Sequence, residues 1–154
     1  MLELDAWLEI AKSAALKGGK YLLENQGQEL KILLNEGRDI KLQLDTDTEK
    51  LIKDSLGSQS EFSILGEETG LSNDLGEFYW VVDPLDGTSN FLRDIPISCV
   101  SIALMQNLTP ILGVIYDFNH DDLYFGHLES KAFLNQIEIA VSNYSEKSQS
   151  TLVT

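Results

Sequence analysis

The most informative segment of the sequence is Trp80-Val81-Val82-Asp83-Pro84-Leu85-Asp86-Gly87-Thr88-Ser89-Asn90-Phe91. It begins as an apolar strand and continues into two carboxylates, Asp83 and Asp86. Because Pro84 lacks an N–H and fixes φ, we expect the strand to end there and the chain to turn sharply. Such a turn would direct both carboxylates and the Leu85 carbonyl toward one point. Hard oxygen ligands of this kind suit Mg²⁺, which prefers octahedral oxygen coordination.

The residues that follow this turn predict an anion site beside the carboxylates. Gly87, Thr88 and Ser89 combine a glycine with small hydroxyl side chains, and we expect a helix to begin among them. The first N–H groups of a helix have no partner within the helix, and they bind anions such as phosphate. The sequence therefore predicts a metal site and a phosphate site next to each other.

Other carboxylates follow strands that lie earlier in the chain. Residues 62–65 predict a short strand that leads directly into Glu67 and Glu68, and residues 39–45 alternate as in a half-buried strand that ends at Asp45. We expect these acids to converge with the two described above. Taken singly, Asp-Pro and Asp-Gly pairs are also common turns, Glu67-Glu68 is also typical of a solvated loop, and Asp45 is also typical of a helix N-cap.

Two amphipathic helices are predicted on the N-terminal side. Residues 4–23 carry apolar side chains at helical spacing, and a second helix is expected from about residue 46 to residue 56. Gly18-Gly19 in the first helix either allows another backbone to approach closely or weakens the last turns, and the sequence does not decide which. Residues 28–36 are compatible with helix or with extended chain.

The C-terminal side is predicted to be rich in β-structure. Residues 98–105, 111–116 and 123–126 are strand-like runs separated by turn-rich segments. This arrangement favours successive hairpins and an antiparallel sheet. The sequence as a whole therefore predicts an α+β fold with a largely antiparallel sheet.

The composition excludes some classes of binding partner. The chain of 154 residues has 25 Asp plus Glu against 11 Lys plus Arg, a formal net charge of −14, which argues against binding to nucleic acid or to an anionic membrane. With 43% hydrophobic residues it can form a core, and its length predicts one domain. A single cysteine and the absence of a long apolar run lead us to expect a cytoplasmic protein.

Four segments resemble, in their order along the chain, the inositol monophosphatase family of Mg²⁺-dependent, lithium-sensitive phosphatases: residues 66–69, 80–91, 95–97 and 100–104. The likeness covers most of the chain from about residue 39 onward. It implies a layered α/β sandwich like the N-terminal half of the inositol monophosphatase and fructose-1,6-bisphosphatase fold. Residues 1–154 would then form the metal- and phosphate-binding half of such a domain, with the C-terminal half absent from this chain.

The resemblance also implies a set of metal ligands. Carried over by position, Glu67 and Asp83 would hold a first metal ion together with the Leu85 carbonyl. Asp83 and Asp86 would contribute to a second metal ion. Mg²⁺ is the cofactor that this assignment implies, and Asp83 is the residue that would bridge both ions.

The same resemblance assigns catalytic and phosphate-binding roles. Thr88, with Asp45 behind it and Glu67 beside it, would orient and deprotonate the attacking water. Gly87, Thr88 and Ser89 would offer backbone or hydroxyl donors to the substrate phosphate. Donors fixed in this way offset the charge of the phosphoryl group as it is transferred.

The predicted function is hydrolysis of inositol monophosphate to inositol and phosphate by metal-activated water. The alternatives are a fructose-1,6-bisphosphatase and a 3′(2′),5′-bisphosphate nucleotidase. A further alternative from another class is a catalytically silent half-domain that binds metal or a partner, and this chain alone is a candidate for such an inactive unit. The resemblance also suggests a homodimer that acts on a small phosphate monoester.

Overall fold

The computed structural model describes residues 3–28, 32–36 and 39–142. In chain order the elements are α1 (Leu4–Asn25), β1 (Ile32–Glu36), β2 (Asp39–Leu42), α2 (Gln43–Gly57), β3 (Ser63–Gly66), β4 (Gly70–Leu71), β5 (Phe78–Asp86), α3 (Thr88–Phe91), β6 (Cys99–Gln106), β7 (Thr109–Asp117), β8 (Asp122–His127), β9 (Ala132–Leu134) and β10 (Ile137–Ile139). The predicted α+β class is confirmed. In the segment 28–36, whose conformation the sequence left open, residues 32–36 form a strand, and residues 29–31 lie outside the described part.

Eight strands form one sheet in the order β10-β9-β8-β7-β6-β5-β3-β4. All neighbouring pairs in this sheet are antiparallel except β3 and β5, which run parallel. The successive hairpins predicted after Pro96 are therefore confirmed. β1 and β2 form a separate antiparallel pair.

The core lies between the two long helices and one face of the sheet. α1 contacts β6, β7, β8 and α2, and α2 also contacts β5. Along β6 and β7 the residues on this face are buried, and they alternate with partly or fully exposed residues on the opposite face; the buried ones include Val100, Ile102, Leu104, Leu112, Val114 and Tyr116. This alternation is the two-residue period of a sheet that is covered on one side.

The opening helix confirms its predicted amphipathic character and resolves the question of its glycines. α1 buries Leu4, Leu8 and Leu22, and it also buries Gly18 and Gly19 against neighbouring elements. A Cβ atom at Gly18 would lie 2.8 Å from the Ile52 side chain in α2. The paired glycines therefore allow α1 to approach its neighbours closely.

Gly19→Ala is expected to destabilise the protein although alanine is the better helix former. A Cβ atom at Gly19 would lie 2.5 Å from the Tyr116 ring and 2.9 Å from the Phe118 Cβ. Overpacking of a buried contact costs about 2 kcal/mol, more than the gain of about 1 kcal/mol from helix propensity. Urea denaturation of both forms measures the difference.

Gly57→Ala is the matched control for this prediction, because Gly57 is the last residue of α2 and has open space around its Cβ position. We expect Gly57→Ala to be neutral or slightly stabilising. Equal effects of the two substitutions on the free energy of unfolding would contradict the close approach of α1 to the sheet.

The second helix begins earlier than the sequence predicts. The strand expected over residues 39–45 ends at Leu42, and α2 begins at Gln43 rather than near residue 46. The reason is a side-chain hydrogen bond: the Leu42 N–H donates to Asp45 Oδ2 at 2.8 Å, which satisfies a backbone donor at the helix start. Asp45 therefore lies in the first turn of α2 and does not end a strand.

The prediction that Pro84 ends its strand is also wrong, because β5 continues to Asp86. β3 ends at Gly66, opposite Val82, so Pro84 lies beyond the stretch that pairs with β3. On the β6 side the register shifts between Asp83 and Asp86, as in a β-bulge. A proline is accommodated in a strand at such an edge or bulge.

Candidate active site

The adjacent ends of two strands bring Glu67 and Asp83 together. β3 and β5 run parallel with Gly66 opposite Val82, so the next residue of each strand lies at the same end of the pair. The Glu67 N–H donates to the Val82 carbonyl at 3.1 Å. The carboxyl groups of Glu67 and Asp83 are thereby brought within hydrogen-bonding reach of each other.

The surroundings of Asp83 favour its protonated form. Burial raises the pKa of Asp83, and the charge and hydrogen bond of Glu67 and the charge of Asp86 raise it further, to about 7 from the ordinary value of 3.8. The Leu85 N–H, which donates to Asp83 Oδ1 at 3.1 Å, acts in the opposite direction. Three carboxylates thus interact across a small region at the end of β5.

This raised pKa makes the stability of the metal-free protein depend on pH. The folded state holds the Asp83 proton up to about pH 7, while the unfolded chain releases it near pH 4, so this group's contribution to stability falls as the pH rises between these values. Because Asp83→Asn cannot lose a proton, we expect it to lose less stability than the wild type between about pH 4 and about pH 7. Urea denaturation in a chelator measures both forms, and equal losses would contradict the assignment.

A tight turn follows Asp86 at the end of β5. Gly87 has a φ of 87°, in the left-handed region, and a Cβ atom there would lie 2.7 Å from the Ile97 carbonyl oxygen. Both the conformation and the space therefore require glycine. The Gly87 carbonyl accepts hydrogen bonds from Asn90 N–H and Phe91 N–H at 2.8 and 2.9 Å, which starts the short helix α3.

The hydroxyl residues of this turn have defined partners. Thr88 Oγ1 donates to the Leu85 carbonyl at 3.0 Å, which ties the first residue of α3 back to β5. Ser89 Oγ accepts a hydrogen bond from the Arg93 guanidinium, which also donates to the Ser89 carbonyl at 2.8 Å. The turn and α3 thus form one connected unit next to Asp86.

Asp45 reaches this region from a different direction. Its side chain is 1% exposed in the first turn of α2, where Oδ2 accepts the Leu42 N–H. β2, which leads into α2, contacts α3. The N-terminal end of α2 and the turn at Gly87 and Thr88 are therefore on the same side of the molecule.

A cleft of about 430 Å³ opens beside Asp86 and Gly87. Apolar residues from β7 and β8 line one part of it, and Asp117 and His120 line another. The cleft is large enough for a sugar-sized molecule, because small-ligand pockets begin at about 300 Å³.

The carboxylates Glu67, Asp83 and Asp86 are the candidate ligands for a metal ion. Across residues 3–28, 32–36 and 39–142, no group of three or more His, Cys, Asp or Glu side chains is arranged as a preformed metal site. Glu67 and Asp83 form a pair, and the exposed Asp86 acts on Asp83 through its charge. Carboxylates of this kind fit a hard divalent cation, which would relieve the repulsion that raises the pKa of Asp83.

Sequence reasoning missed Glu49, a fully buried carboxylate in α2. It accepts the Glu68 N–H at 2.7 Å and the Thr69 N–H at 3.1 Å, just after the predicted metal ligand Glu67. One signal was present in the sequence: Glu49 follows Asp45 by one helical turn, and residues at this spacing share a helix face.

The fold and the candidate site together define a class of α+β protein with an acidic site at the edge of its sheet. It has two helices on one face of a mostly antiparallel sheet, and its carboxylates gather at the ends of two parallel strands beside a glycine turn. Comparison with known proteins identifies the family. Residues 3–154 match the family model described as the inositol monophosphatase family.

Curated relatives agree with this match. The chain is 36% identical over 146 residues to a protein of Aquifex aeolicus named fructose-1,6-bisphosphatase/inositol-1-monophosphatase, covering 93% of this chain and 55% of the relative. It is 35% identical over 156 residues to the inositol-1-monophosphatase of a Synechocystis strain, covering 99% of this chain and 54% of the relative. The chain thus spans about half the length of the curated relatives it matches.

Solved structures show the same similarity. The suppressor protein SuhB of Bartonella henselae superposes with a TM-score of 0.83 at 34% identity, over 88% of this chain and 54% of that one. The inositol monophosphatase of Anabaena superposes with a TM-score of 0.80 at 35% identity, over 94% of this chain and 53% of that one. The chain belongs to the inositol monophosphatase family. Among the described residues, no helix is both long and apolar enough to cross a membrane.

Proposed function

We propose that this chain carries the metal- and phosphate-binding part of a Mg²⁺-dependent phosphatase that hydrolyses inositol monophosphate. One observation carries the proposal: Glu67 and Asp83 lie side by side at the ends of parallel strands, with Asp86 and the Gly87 turn next to them. Like-charged groups held this close are a common feature of functional sites, because a fold gains no stability from their repulsion.

The metal ligands in this proposal are Glu67, Asp83, Asp86 and the Leu85 carbonyl. A bound divalent cation would supply Lewis-acid activation of water and would offset the charge of the phosphate. Asp83 is held by the Leu85 N–H, which fixes the direction of one carboxylate oxygen. Its pairing with Glu67 keeps the second acid within reach of the same ion.

The remaining residues orient water and substrate. The Thr88 hydroxyl is fixed by its hydrogen bond to the Leu85 carbonyl, and we assign it, with Asp45 and Glu67, the role of orienting and deprotonating the attacking water. Gly87, Thr88 and Ser89 would donate to the substrate phosphate. Asp45 is held by its place in the first turn of α2, at the end of the molecule that carries the Gly87 turn.

The names of the relatives support inositol monophosphate as the substrate. The Synechocystis relative is named for that activity alone, whereas the Aquifex relative is also named a fructose-1,6-bisphosphatase. Fructose 1,6-bisphosphate is therefore the second candidate substrate. The proposal includes a homodimer on the family resemblance and a cytoplasmic location on the composition of the chain. Light scattering of the purified protein measures its oligomeric state.

Phosphate release from a panel of monoesters tests the proposal. The protein, produced as its gene encodes it, is supplied with Mg²⁺ and with inositol monophosphate, fructose 1,6-bisphosphate or a 3′,5′-bisphosphate nucleotide at equal concentration. We expect the highest kcat/KM with inositol monophosphate. A higher kcat/KM with either bisphosphate would reassign the substrate, and no release from any of them would support the alternative of a silent binding domain.

A further inference from the structure

A buried acid in α2 holds the loop that carries Glu67. Glu49 is 0% exposed, and its carboxylate lies directly under residues 66–69. Charged side chains are rarely buried to this extent unless they are paired and hydrogen-bonded. The contacts of Glu49 therefore indicate what its charge does in the fold.

Each of the two carboxylate oxygens of Glu49 binds the loop. Oε2 accepts the Glu68 N–H at 2.7 Å, and Oε1 accepts the Thr69 N–H at 3.1 Å and also the Thr69 hydroxyl. These donors belong to the two residues that directly follow Glu67. The backbone on the C-terminal side of Glu67 is thus held by a single side chain from α2.

The other side of Glu67 is fixed by close packing. A Cβ atom at Gly66 would lie 2.3 to 2.5 Å from the Glu49 carboxylate atoms, so the absence of a side chain at Gly66 lets the carboxylate lie against the backbone. Glu67 itself donates its N–H to the Val82 carbonyl. The path of the chain at Glu67 is therefore determined by Glu49 and by β5.

A lysine of α2 pairs with Glu49 and binds the same loop, including the Thr69 hydroxyl. Lys53 Nζ lies 3.1 Å from Glu49 Oε1, one helical turn away on α2, and it also donates to the Gly70 carbonyl at 3.0 Å. Lys53 therefore binds the end of the same loop that Glu49 binds in the middle. Together the two side chains connect α2 to residues 68–70 over four backbone and side-chain groups.

We propose that Glu49 is a positioning residue, whose carboxylate fixes residues 66–69 so that the Glu67 side chain is held against Asp83. The inference rests on the proposed function, because it gives Glu67 a role in metal binding. Glu49 is not one of the proposed metal ligands, and its hydrogen bonds and ion pair are with the loop and with Lys53. Partners of this kind that orient a metal ligand typically contribute tenfold to a hundredfold in metal affinity.

Glu49→Gln tests the inference with two readouts that do not depend on catalysis. The amide keeps the shape of the side chain but directs an NH₂ group at N–H donors and loses the charge opposite Lys53. We expect amide hydrogen exchange at residues 67–69 of the metal-free protein to accelerate about tenfold. We expect the dissociation constant for Mn²⁺, measured from the electron paramagnetic resonance of the free ion, to rise about tenfold or more.

Three further variants separate positioning from general stability. Ser55→Ala removes another buried polar side chain of α2, one that binds Lys17 of α1 at 3.0 Å and lies away from the loop, so Mn²⁺ affinity should be unchanged. Thr69→Val removes an exposed hydroxyl that donates to Glu49 and accepts from Lys53, leaves both backbone hydrogen bonds to Glu49 in place, and should weaken Mn²⁺ binding less than Glu49→Gln. Thr69→Ser keeps the hydroxyl and should bind Mn²⁺ like the wild type.

The outcomes distinguish this inference from the function on which it rests. A wild-type protein that binds no Mn²⁺ overturns the proposed function and the positioning role with it. A wild-type protein that binds Mn²⁺, while Glu49→Gln or Thr69→Val binds it equally tightly, overturns the positioning role alone. The same conclusion follows if Ser55→Ala weakens binding as much as Glu49→Gln does, because the effect would then come from stability.

Discussion

Chelation of divalent metal is expected to abolish phosphate release by the full gene product. Added Mg²⁺ is expected to restore it. The reason is electrostatic: Glu67, Asp83 and Asp86 would repel a phosphate dianion. Two unit charges 4 Å apart near a protein surface repel each other by about 4 kcal/mol. A divalent cation between the acids and the phosphate converts this repulsion into attraction.

The measurement is phosphate release from inositol monophosphate before and after exhaustive chelation. Circular dichroism of the chelated protein is the control, because it shows whether the fold survives removal of the metal. Release that continues at an unchanged rate in the chelated protein would contradict the proposed function. Activity that returns with Mg²⁺ but not with Na⁺ at equal ionic strength would show that the divalent cation itself is required.

Asp83→Asn is expected to lower the rate of phosphate release by about a thousandfold at saturating Mg²⁺, the upper range for removal of one electrostatic group from an active site. Asp83 has the central position: it is hydrogen-bonded to Glu67, and it interacts with the charge of Asp86. In the proposed site it would also contribute to both metal ions, so its loss would weaken both. Steady-state kinetics of the purified variant give kcat and KM separately.

Glu68→Gln is the matched control, since it removes a neighbouring carboxylate from the same loop. The backbone N–H of Glu68 is bound by Glu49, and a substitution of its side chain leaves that hydrogen bond in place. We expect Glu68→Gln to have a much smaller effect than either Asp83→Asn or Glu67→Gln. A series in which Glu68→Gln proved the most damaging would show that the acids have been assigned incorrectly.

The elements that the sequence predicts well are those set by local pattern. The helical spacing of residues 4–23 and the alternating runs after Pro96 depend on near neighbours, and α1 and the strands β6, β7 and β8 match them closely. The hairpin of β9 and β10 was not among the predicted strands, although its tight turn is locally favourable, because Asn135 takes the positive φ of 55° there. Local preference and tertiary packing agree in these segments.

The predictions that failed concern residues whose conformation depends on partners distant in space or on backbone hydrogen bonds. Asp45 was placed at a strand end because alternation continues to that residue, but its carboxylate caps the preceding backbone and starts the helix earlier. Pro84 was expected to end a strand, and the edge left by the short β3 accommodates it. The second effect cannot be seen without knowing which strands are neighbours.

The candidate site was predictable in its residue types and less so in its arrangement. Carboxylates at strand ends are visible in the sequence, but the parallel pairing of β3 with β5, which brings Glu67 against Asp83, is not. Glu49 was missed for a different reason. An acid followed four residues later by a lysine is typical of a solvated helix face. Only the packing of α2 over the 66–69 loop shows that Glu49 is fully buried and that Lys53 is mostly buried.

The order of the sheet also has a kinetic consequence. From β5 to β10, strands that are neighbours in space are neighbours in the chain, joined by turns as short as the one between Gln106 and Thr109. Closing such turns costs little loop entropy, so these hairpins are expected to form early on the folding pathway. β3 must instead dock alongside β5 across the intervening β4 and its connections. The contact between Glu67 and Asp83 is therefore expected to form after the hairpins, so that mutations at this pair would change the unfolding rate and leave the folding rate nearly unchanged.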